Sequence, residues 1–320
     1  MNEKRIDLTK VLLLGGIIVD RYFEVDRYPH AGQDTLIQKS FDRVGGCCLN
    51  VAVTLKNLGS IPFIANKFGD DEIGTKIEQY LDSQALSKDC MTRASGRQTG
   101  YCLIILDRNG ERTFFTYKGC EAEVPKNELL KQLSAGFAFA YITGYYLMNE
   151  ITASAVLELT SRLRQSGCQI LFDPGALVDE MGTSQLREFM IQSDWLLPNA
   201  NEWAIMQKKL DNGENLIGWL FKHGVRGMVV KRGNLGVEVF TPTSSFELNS
   251  IPIVSIDTTG AGDSFAGGLI HGLSNGSSLY DAVSLANACG AFTATKIGPH
   301  AEFSLDDIQN LIKSSKDNYL

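Results

Sequence analysis

The sequence predicts an α/β fold, a doubly wound and mostly parallel β-sheet with helices on both faces. Short apolar runs alternate with helical patterns over most of the chain, and this alternation is typical of buried strands joined by crossover helices. The chain has 320 residues, of which 44% are apolar and 21% are charged, which is ample for a large core. No internal repeat or low-complexity linker divides it, so we expect a single domain over residues 1–320.

The predicted strands are short apolar runs, which have the length of buried strands rather than of helices. They lie at residues 11–14, 63–65, 137–143, 169–172, 195–197 and 227–230. Helical periodicity separates them near residues 71–82, 150–166, 183–192 and 214–223, and the chain after residue 258 is predicted to be chiefly helical. Side chains that carry chemistry gather at the carboxyl ends of such strands. We expect Asp20, Asn199, Gly233 and Asp263 there.

Two regions, residues 22–44 and 99–118, break the alternation because they read as extended and have no crossover helix of their own. The second contains Asn109-Gly110, a dipeptide that favours a two-residue hairpin turn. Exposed apolar strands of this kind need a cover of substrate or of a partner. Taken alone, both regions are compatible with surface hairpins.

The stretch from Asp257 to Gly268 contains the first candidate site. An extended segment at residues 251–256 turns here into an apolar helix, whose N-terminal N–H groups carry roughly half a positive charge. Gly260 and Gly262 have no side chains and would let a phosphate approach that backbone closely. Asp263 could then act as a base for a hydroxyl that attacks a phosphoryl group held beside it. The alternative is a glycine-rich turn in which Asp263 caps the helix.

The second candidate site begins at Gly45-Gly46-Cys47-Cys48-Leu49-Asn50. The paired glycines open a helix whose apolar residues have helical spacing, and Gly59 is a suitable C-terminal stop. Asn50 falls in the first turn of this helix, where a helix that packs into the core has no need of an amide.

Together the two segments resemble the paired signatures of the ribokinase-like (PfkB) family of carbohydrate kinases. In that family a G-G-x-x-x-N motif holds the sugar, and a D-T-x-G-A-G-D motif carries the anion hole and the catalytic base. Further family-like segments are Leu14-Gly15-Gly16-Ile17-Ile18-Val19-Asp20, Gly69-Asp70-Asp71-Glu72-Ile73-Gly74, Phe172-Asp173-Pro174-Gly175, Pro198-Asn199-Ala200-Asn201-Glu202 and Val229-Val230-Lys231-Arg232-Gly233.

The resemblance implies a ribokinase-like fold with a small β-sheet lid over the sugar, formed by the segments at about 22–44 and 99–118. Such lids often also pair two subunits, so a homodimer is expected. The implied activity is an ATP-dependent sugar kinase that transfers the γ-phosphate of ATP to a hydroxyl of a monosaccharide. Magnesium would accompany ATP, and potassium is a further cation that many relatives bind.

The resemblance also implies roles for individual residues. The base would be Asp263, with Gly260, Ala261 and Gly262 as the anion hole. The sugar would be held by Asp20, Gly45, Gly46 and Asn50, and the nucleotide by Asn199, Glu202, Lys231, Gly233, Gly236 and Asn287. Asn199 and Glu202 would reach magnesium through water, and Asp257 with Thr259 would bind the monovalent cation. The segment Gly298-Pro299-His300-Ala301-Glu302 lacks the small-residue and serine pattern that ribokinase has near that cation.

The sequence does not decide which compound accepts the phosphate. Ile18 and Cys47 stand where ribokinase has an asparagine and a lysine, which disfavours ribose, and the chain looks most like a bacterial subgroup of uncharacterised sugar kinases. A nucleoside kinase is an alternative if Tyr101 or Phe115 stacks on a base. A phosphosugar kinase would need cations, for which the candidates are Arg43, Arg97 and Arg112.

Two other classes of protein are alternatives. The first is a catalytically silent sugar- or nucleotide-binding regulator, although an intact Gly260-Ala261-Gly262-Asp263 has no purpose in a protein that only binds. The second is a dinucleotide-dependent dehydrogenase, which the missing G-x-G-x-x-G pattern disfavours. No G-x-x-x-x-G-K-[ST] pattern occurs either, so a Walker-type NTPase is disfavoured.

Charge and cysteine usage bound the partners and the location. A net charge of −7 disfavours nucleic acid and anionic membranes as partners. The apolar runs are too short to cross a bilayer and no signal-peptide core follows the N-terminus, so a cytoplasmic location is expected. The seven cysteines include no C-x-x-C, and the four histidines are scattered, so neither set predicts a metal centre.

Overall fold

A computed structural model describes residues 9–108, 111–211, 213 and 215–317. The predicted Asn109-Gly110 turn lies outside these residues. The helices are α1 (Cys47–Asn57), α2 (Glu72–Ser83), α3 (Lys126–Gln132), α4 (Glu150–Gln165), α5 (Thr183–Ile191), α6 (Ala200–Leu210), α7 (Leu216–Lys222), α8 (Ala261–Ser274), α9 (Leu279–Ala294) and α10 (Leu305–Asp317). Within the described residues, no helix is both long and apolar enough to cross a membrane.

The strands are β1 (Lys10–Leu14), β2 (Ile18–Val25), β3 (Ile37–Gly45), β4 (Ile61–Ala65), β5 (Lys67–Gly69), β6 (Thr92–Ala94), β7 (Tyr101–Leu106), β8 (Arg112–Tyr117), β9 (Phe139–Thr143), β10 (Gln169–Asp173), β11 (Trp195–Leu196), β12 (Gly227–Lys231), β13 (Val237–Phe240) and β14 (Ser245–Leu248). Eight of them form one sheet in the order β14-β13-β12-β11-β10-β9-β1-β4. The pairs from β4 to β12 are parallel, and β13 and β14 add an antiparallel edge. The predicted doubly wound, mostly parallel sheet is therefore confirmed.

Alternating residues of β1 show why both faces of this sheet are covered. Val11 and Leu13 pack into a core that contains residues of α1 and α8, whereas Leu12 and Leu14 pack into a core that contains residues of α4 and α6. Successive side chains of a strand point to opposite faces. A strand that is apolar at every position is thus buried on both sides, as the continuous apolar runs predict.

A separate four-stranded sheet has the order β3-β2-β7-β8 and contains the two regions that break the predicted alternation. Asp20 of β2 pairs with Arg43 of β3 and with Cys102 of β7, and Leu106 of β7 pairs with Arg112 of β8. These pairs fix the faces of the sheet. Asp20 and Arg112 lie on the same face of this sheet. Their partners in β7, Cys102 and Leu106, are four positions apart, and residues an even number of positions apart in a strand point to the same face.

The predicted extended segment at residues 251–256 joins no sheet among the described residues and leads directly into the loop before α8. Its end is held by α9, because the amides of Ile256 and Asp257 donate to the Ala294 carbonyl at 2.8 and 3.2 Å.

Buried hydroxyls position the helix that follows. Ser264 of α8 accepts a hydrogen bond from Thr293 of α9 at 2.9 Å, lies 3.0 Å from the Thr54 hydroxyl of α1, and donates to the Cys289 carbonyl at 3.2 Å. These buried hydroxyls fix the start of α8 between the other two helices.

Glycines let the same helices pack closely. A Cβ on Gly268 would lie 2.8 Å from the Cα of Ala286, which is nearer than packed carbon atoms approach. On Gly267 it would lie 2.7 Å from the Thr54 methyl group. The apolar helix after the candidate phosphate site is therefore specified by small residues as well as by its periodicity.

Gly268→Ala should lower the free energy of unfolding by about 1 to 3 kcal/mol, because backbone atoms of α9 cannot move away as a side chain could. Gly218→Ala on α7 is the matched control. A Cβ there meets its nearest heavy atom at 3.7 Å, so this variant should be neutral or up to about 1 kcal/mol more stable. Denaturant unfolding of both variants measures the difference, and equal stability would contradict the close packing of α8 on α9.

Candidate functional site

The loop before α8 is shaped by Gly260, which is the N-cap residue and has a left-handed φ of 73°. A Cβ at Gly260 would overlap the carbonyl oxygen of Pro299, so only glycine fits. The Asp257 carboxylate fixes the loop by accepting the Thr259 amide at 2.9 Å. Gly262 does not have a positive φ, and a Cβ built on it would lie 3.6 Å from the Lys231 Nζ.

The N–H groups of this turn differ from one another. The Ala261 amide donates to the carbonyl of Thr258 at 3.2 Å. This N–H group is therefore used within the turn and is not free to bind a ligand. In the part of the chain that the structure describes, the amides of Gly260, Gly262 and Asp263 have no protein acceptor. Free N–H groups at a helix N-terminus beside a lysine form an anion-binding site.

Asp263 and Asn50 meet at this point, as the paired motifs suggest. The Asn50 Nδ2 donates to the Asp263 Oδ2 at 2.7 Å, although the residues are 213 positions apart. Gly46, with a φ of 96°, is the N-cap residue of α1, and a Cβ there would press on the Gly16 carbonyl. The two candidate segments therefore form one site.

The Asp263 carboxyl has a pKa of about 7. Burial raises it, and the negative charges of Asp173 and Asp20 raise it further, whereas the Asn50 hydrogen bond and the Lys231 charge oppose this shift. A carboxyl with a pKa near neutrality is suited to accept a proton and later release it.

Asp20 lies beside Gly45 in the small sheet. A Cβ on Gly45 would collide with the Asp20 carboxylate, so the glycine makes room for it. Asp20 is only 6% exposed, and its pKa is raised to about 7 by burial and then by the negative charge of Asp257. No described residue donates a hydrogen bond to it. Gly45, Gly46, Asp20 and Asn50 thus lie together at the amino end of α1, where they are the candidate lining of a polar pocket.

Asn199 and Glu202 form a capping box at the start of α6. The Glu202 amide donates to the Asn199 Oδ1 at 2.8 Å, and the Asn199 amide donates to the Glu202 Oε2 at 2.7 Å. The pKa of Glu202 is raised to about 7 by burial and by Asp173, against the opposing charge of Lys231. Asn199 therefore orients Glu202, and its side-chain oxygen is already used as the acceptor of the Glu202 amide.

Sequence reasoning did not assign a role to Asp173, which is part of the site. The Lys231 Nζ donates to its Oδ2 at 2.8 Å, and both side chains are mostly buried. Although burial alone would lower the pKa of Lys231, the carboxylates of Asp173 and Glu202 raise it above its ordinary value. The available signal was the position of Asp173 at the end of a predicted central strand. Lys231 is therefore buried but charged, and it lies close both to the carboxylates of Asp173 and Glu202 and to the N-terminus of α8.

The remaining predicted nucleotide-binding residues lie around the end of β14. Gly233 and Gly236 have φ angles of 57° and 88° in the turn between β12 and β13, and a Cβ on Gly236 would strike the Leu248 carbonyl. Asn287 on α9 donates to the carbonyl of Asn249 at 2.9 Å. These contacts join the turn, α9 and the end of β14 into one region.

Two aromatic residues and one arginine do not face the pocket in the way that the sequence suggests. Tyr101 and Phe115 lie on the face of the small sheet opposite to Asp20, and Tyr101 stacks on Tyr117 at 5.2 Å. Arg97 pairs with Glu123 at 2.8 Å on the surface. Stacking of a base by Tyr101 or Phe115 therefore has no support in the geometry.

Arg112 is committed to a carboxylate that was predicted to bind a cation. Its Nη2 lies 3.0 Å from the Asp257 Oδ1, and the Asp257 Oδ2 accepts the Gly298 amide at 3.0 Å. The buried hydroxyls of Thr259 and Tyr22 lie close to each other beside this carboxylate. Because both oxygens of Asp257 are used, and one of them already meets a guanidinium group, the residues do not fit a free monovalent cation.

Lys118, which the sequence did not single out, is a further cation close to the site. Its Nζ lies 4.1 Å from the centre of the Tyr145 ring. Desolvation raises the pKa of the partly exposed Tyr145, and the negative charge of Asp263 adds to this shift, which places Tyr145 within electrostatic reach of the base. Lys118 makes no ion pair within the described residues.

Comparison with known proteins finds relatives that are named as sugar kinases. An ATP-dependent ribose-1-phosphate kinase from Halopiger xanaduensis is 27% identical over 301 residues, covering 94% of this chain and 97% of the relative. A fructokinase-2 from Oryza sativa is 25% identical over 268 residues, covering 79% of this chain and 80% of the relative.

Solved structures share the fold. The Methanocaldococcus jannaschii nucleoside kinase, an archaeal member of the ribokinase family, superposes with a TM-score of 0.82 at 20% identity, covering 96% of this chain and 99% of that one. A putative ribokinase II from E. coli, in complex with ATP and Mg²⁺, has a TM-score of 0.79 at 23% identity, covering 96% and 100%. The family of pfkB carbohydrate kinases matches residues 8–305, and the chain therefore belongs to the pfkB family of carbohydrate kinases.

Proposed function

We propose that this protein is a sugar kinase that transfers the γ-phosphate of ATP to a hydroxyl of a monosaccharide. Membership of the family makes the chain a phosphotransferase. The observation that carries the proposal is the hydrogen bond from Asn50 to Asp263, which holds a base of near-neutral pKa beside free backbone N–H groups and a lysine. A protein that only binds a sugar or a nucleotide has no need of a base at that position.

In the proposed reaction, the Asp263 carboxylate accepts the proton of the acceptor hydroxyl. The oxygen of that hydroxyl bonds to the γ-phosphorus while the bond from this phosphorus to the oxygen of ADP breaks. The N–H groups of Gly260 and Gly262, together with the Lys231 ammonium group, stabilise the charge on the transferring group. One donor of this kind contributes on the order of 3 kcal/mol in other enzymes.

Magnesium bound with ATP would neutralise part of the negative charge of the phosphates. The residues present fit it, because Asp173 and Glu202 are buried carboxylates beside Lys231, and Asn199 orients Glu202. The described residues contain no group of three or more His, Cys, Asp or Glu side chains that could hold a metal alone. Magnesium would therefore depend on the phosphates for most of its ligands, with Glu202 acting through water.

The acceptor would be held by Asp20, Asn50 and the backbone of Gly45 and Gly46. Asp20 is supported in this role because it is buried, faces the pocket and has no donor from the described part of the protein. With a pKa of about 7 it can accept a hydrogen bond from one sugar hydroxyl or donate one to another. Such a pocket favours a polyhydroxylated ring.

A second candidate function, a phosphosugar kinase, is favoured by Lys118. Among the described residues Lys118 has no ion-pair partner, and it lies beside Tyr145 near the base, where a phosphate carried by the sugar could lie. The relative from Halopiger xanaduensis is a ribose-1-phosphate kinase. We keep the free monosaccharide as the primary proposal because Lys118 is a single cation, and phosphate sites commonly use several donors.

The small sheet is proposed to close over the acceptor and to pair two copies of the chain in the cytoplasm. Its outer face supports the pairing, because Phe115 and Tyr117 are 51% and 42% exposed there. The monovalent cation at Asp257 and Thr259 is left out of the proposal, because Arg112 already occupies that carboxylate.

ADP release with Mg²⁺ and ATP, measured over a panel of sugars, sugar acids, phosphosugars and nucleosides, tests the substrate class. We expect a free monosaccharide to have the highest kcat/KM. Lys118→Met should leave that value nearly unchanged, because a neutral ring has no charge for Lys118 to bind. A phosphosugar that turns over about a hundredfold better than every free sugar, with loss of this advantage in Lys118→Met, would replace the primary proposal by the second.

The pH dependence of kcat/KM should show an acid limb centred near pH 7. The reason is that Asp263 has a pKa of about 7, so below this pH it carries a proton and cannot accept another. Asp20 and Glu202 titrate in the same range and would steepen the limb. Asp263→Asn should lower kcat by roughly 10² to 10⁴-fold and leave acceptor affinity little changed. A flat profile from about pH 5.5 to about pH 8.5 would contradict a base with this environment.

A further inference from the structure

The Asp257 side chain contacts three separate parts of the chain, at Thr259, Gly298 and Arg112. Its carboxylate accepts hydrogen bonds from the Thr259 amide and the Gly298 amide, and it forms an ion pair with Arg112 at 3.0 Å. The Asp257 side chain is 5% exposed and that of Arg112 is 19% exposed. A mostly buried ion pair with this number of hydrogen bonds fixes the geometry of the groups that it joins.

Two of these ties determine the shape of the anion site. Thr259 immediately precedes Gly260, so its bond to Asp257 sets the turn from which the free N–H groups point. The bond from Gly298 sets the neighbouring loop, in which Pro299 contacts both Gly260 and Gly45. Asp257 therefore acts on the phosphate site through the backbone, and it is not itself placed to touch the phosphate.

The third tie comes from the small sheet. Arg112 begins β8, on the face that also carries Asp20 and Tyr22, and it is 145 positions from Asp257 in the sequence. Asp257 raises the pKa of Asp20, so its negative charge is felt in the acceptor pocket as well. A guanidinium group stays charged at every pH at which the protein is folded, so Arg112 is a permanent counter-ion for this carboxylate.

We propose that Arg112 is a positioning residue that takes the place of a free monovalent cation at Asp257 and makes the shape of the anion site depend on closure of the small sheet. This inference rests on the proposed kinase function. When the small sheet is closed, Arg112 neutralises Asp257 and the loop from Thr259 to Gly262 is set. When the sheet moves away, Asp257 is left as a buried carboxylate without a counter-ion, which is unfavourable, and the loop relaxes.

The arrangement has a consequence for the reaction. Closure over an acceptor and completion of the anion site become one event, because the same sheet carries Asp20 toward the sugar and Arg112 toward Asp257. ATP bound without an acceptor meets an incomplete site. The protein would thereby limit transfer of the phosphate to water.

The first test compares the wild-type enzyme in buffers whose monovalent cation is either tetramethylammonium or potassium. We expect kcat to agree within about twofold, since Arg112 supplies the charge that the free cation would bring. A wild-type enzyme that is inactive in tetramethylammonium and active in potassium would overturn the proposal. No turnover in either buffer with any acceptor would instead overturn the proposed kinase function.

The second test uses Arg112→Met, which keeps most of the packing of the side chain and removes its charge. In tetramethylammonium its kcat should fall by roughly 10²-fold, while its KM for ATP changes little. Added potassium should restore a large part of the loss, and Arg112→Lys should retain more activity than Arg112→Met. Arg97→Met is the matched control, because Arg97 is 52% exposed and, among the described residues, its one ion pair is with Glu123 on the surface. Full activity of Arg112→Met in tetramethylammonium would overturn the proposal.

Thermal unfolding gives a readout that needs no substrate. Potassium should raise the Tm of Arg112→Met relative to tetramethylammonium at the same ionic strength, because the vacated carboxylate can then bind the cation. The Tm of the wild-type protein and of Arg97→Met should be the same in both salts. A Tm of Arg112→Met that is indifferent to the cation would overturn the replacement of a cation by Arg112.

Discussion

The close approach of α1 and α8 is the constraint on which the rest of the site depends. Gly267 lets α8 approach α1 without a side chain between them, and the Thr54 and Ser264 hydroxyls, 3.0 Å apart, lie across the same contact. Only in this arrangement does the Asn50 amide reach the Asp263 carboxylate. The base, the free N–H groups and the acceptor pocket are consequently brought together by packing in the helical core, and each is lost if that packing changes.

The electrostatics of the site follow from this burial. Burial raises the pKa of three carboxyl groups to about 7, mainly because it excludes water from them. These groups belong to Asp20, Glu202 and Asp263. Lys231 lies within the acidic group and Arg112 at its edge, so positive charge is present at two fixed points. Burying carboxylates costs stability, and such a cost is typical of sites where charge is arranged for a ligand rather than for the fold. Magnesium and a phosphate chain are the ligands that these charges suit.

Much of the fold could be predicted from the sequence because its signals are local. The runs at residues 11–14, 169–172 and 227–230 are strands, and residues 22–44 and 99–118 supply a separate sheet. The contacts that cross long stretches of chain could not be predicted in this way. Arg112 on Asp257 and Lys231 on Asp173 depend on how the strands pair, and no local pattern encodes them. Nor does the sequence show that the left-handed glycine is Gly260 rather than Gly262, since either would fit the motif.

A double-mutant cycle on Asn50 and Asp263 tests the central claim most directly. The kcat of Asn50→Ala, of Asp263→Asn and of the double variant would be compared with that of the wild-type enzyme under the same conditions. If Asn50 acts by holding the base, its removal should lower kcat by roughly tenfold or more in the wild-type background and have almost no further effect once Asp263 is replaced. Losses that multiply in the double variant would show that the two residues act independently, and would contradict the account.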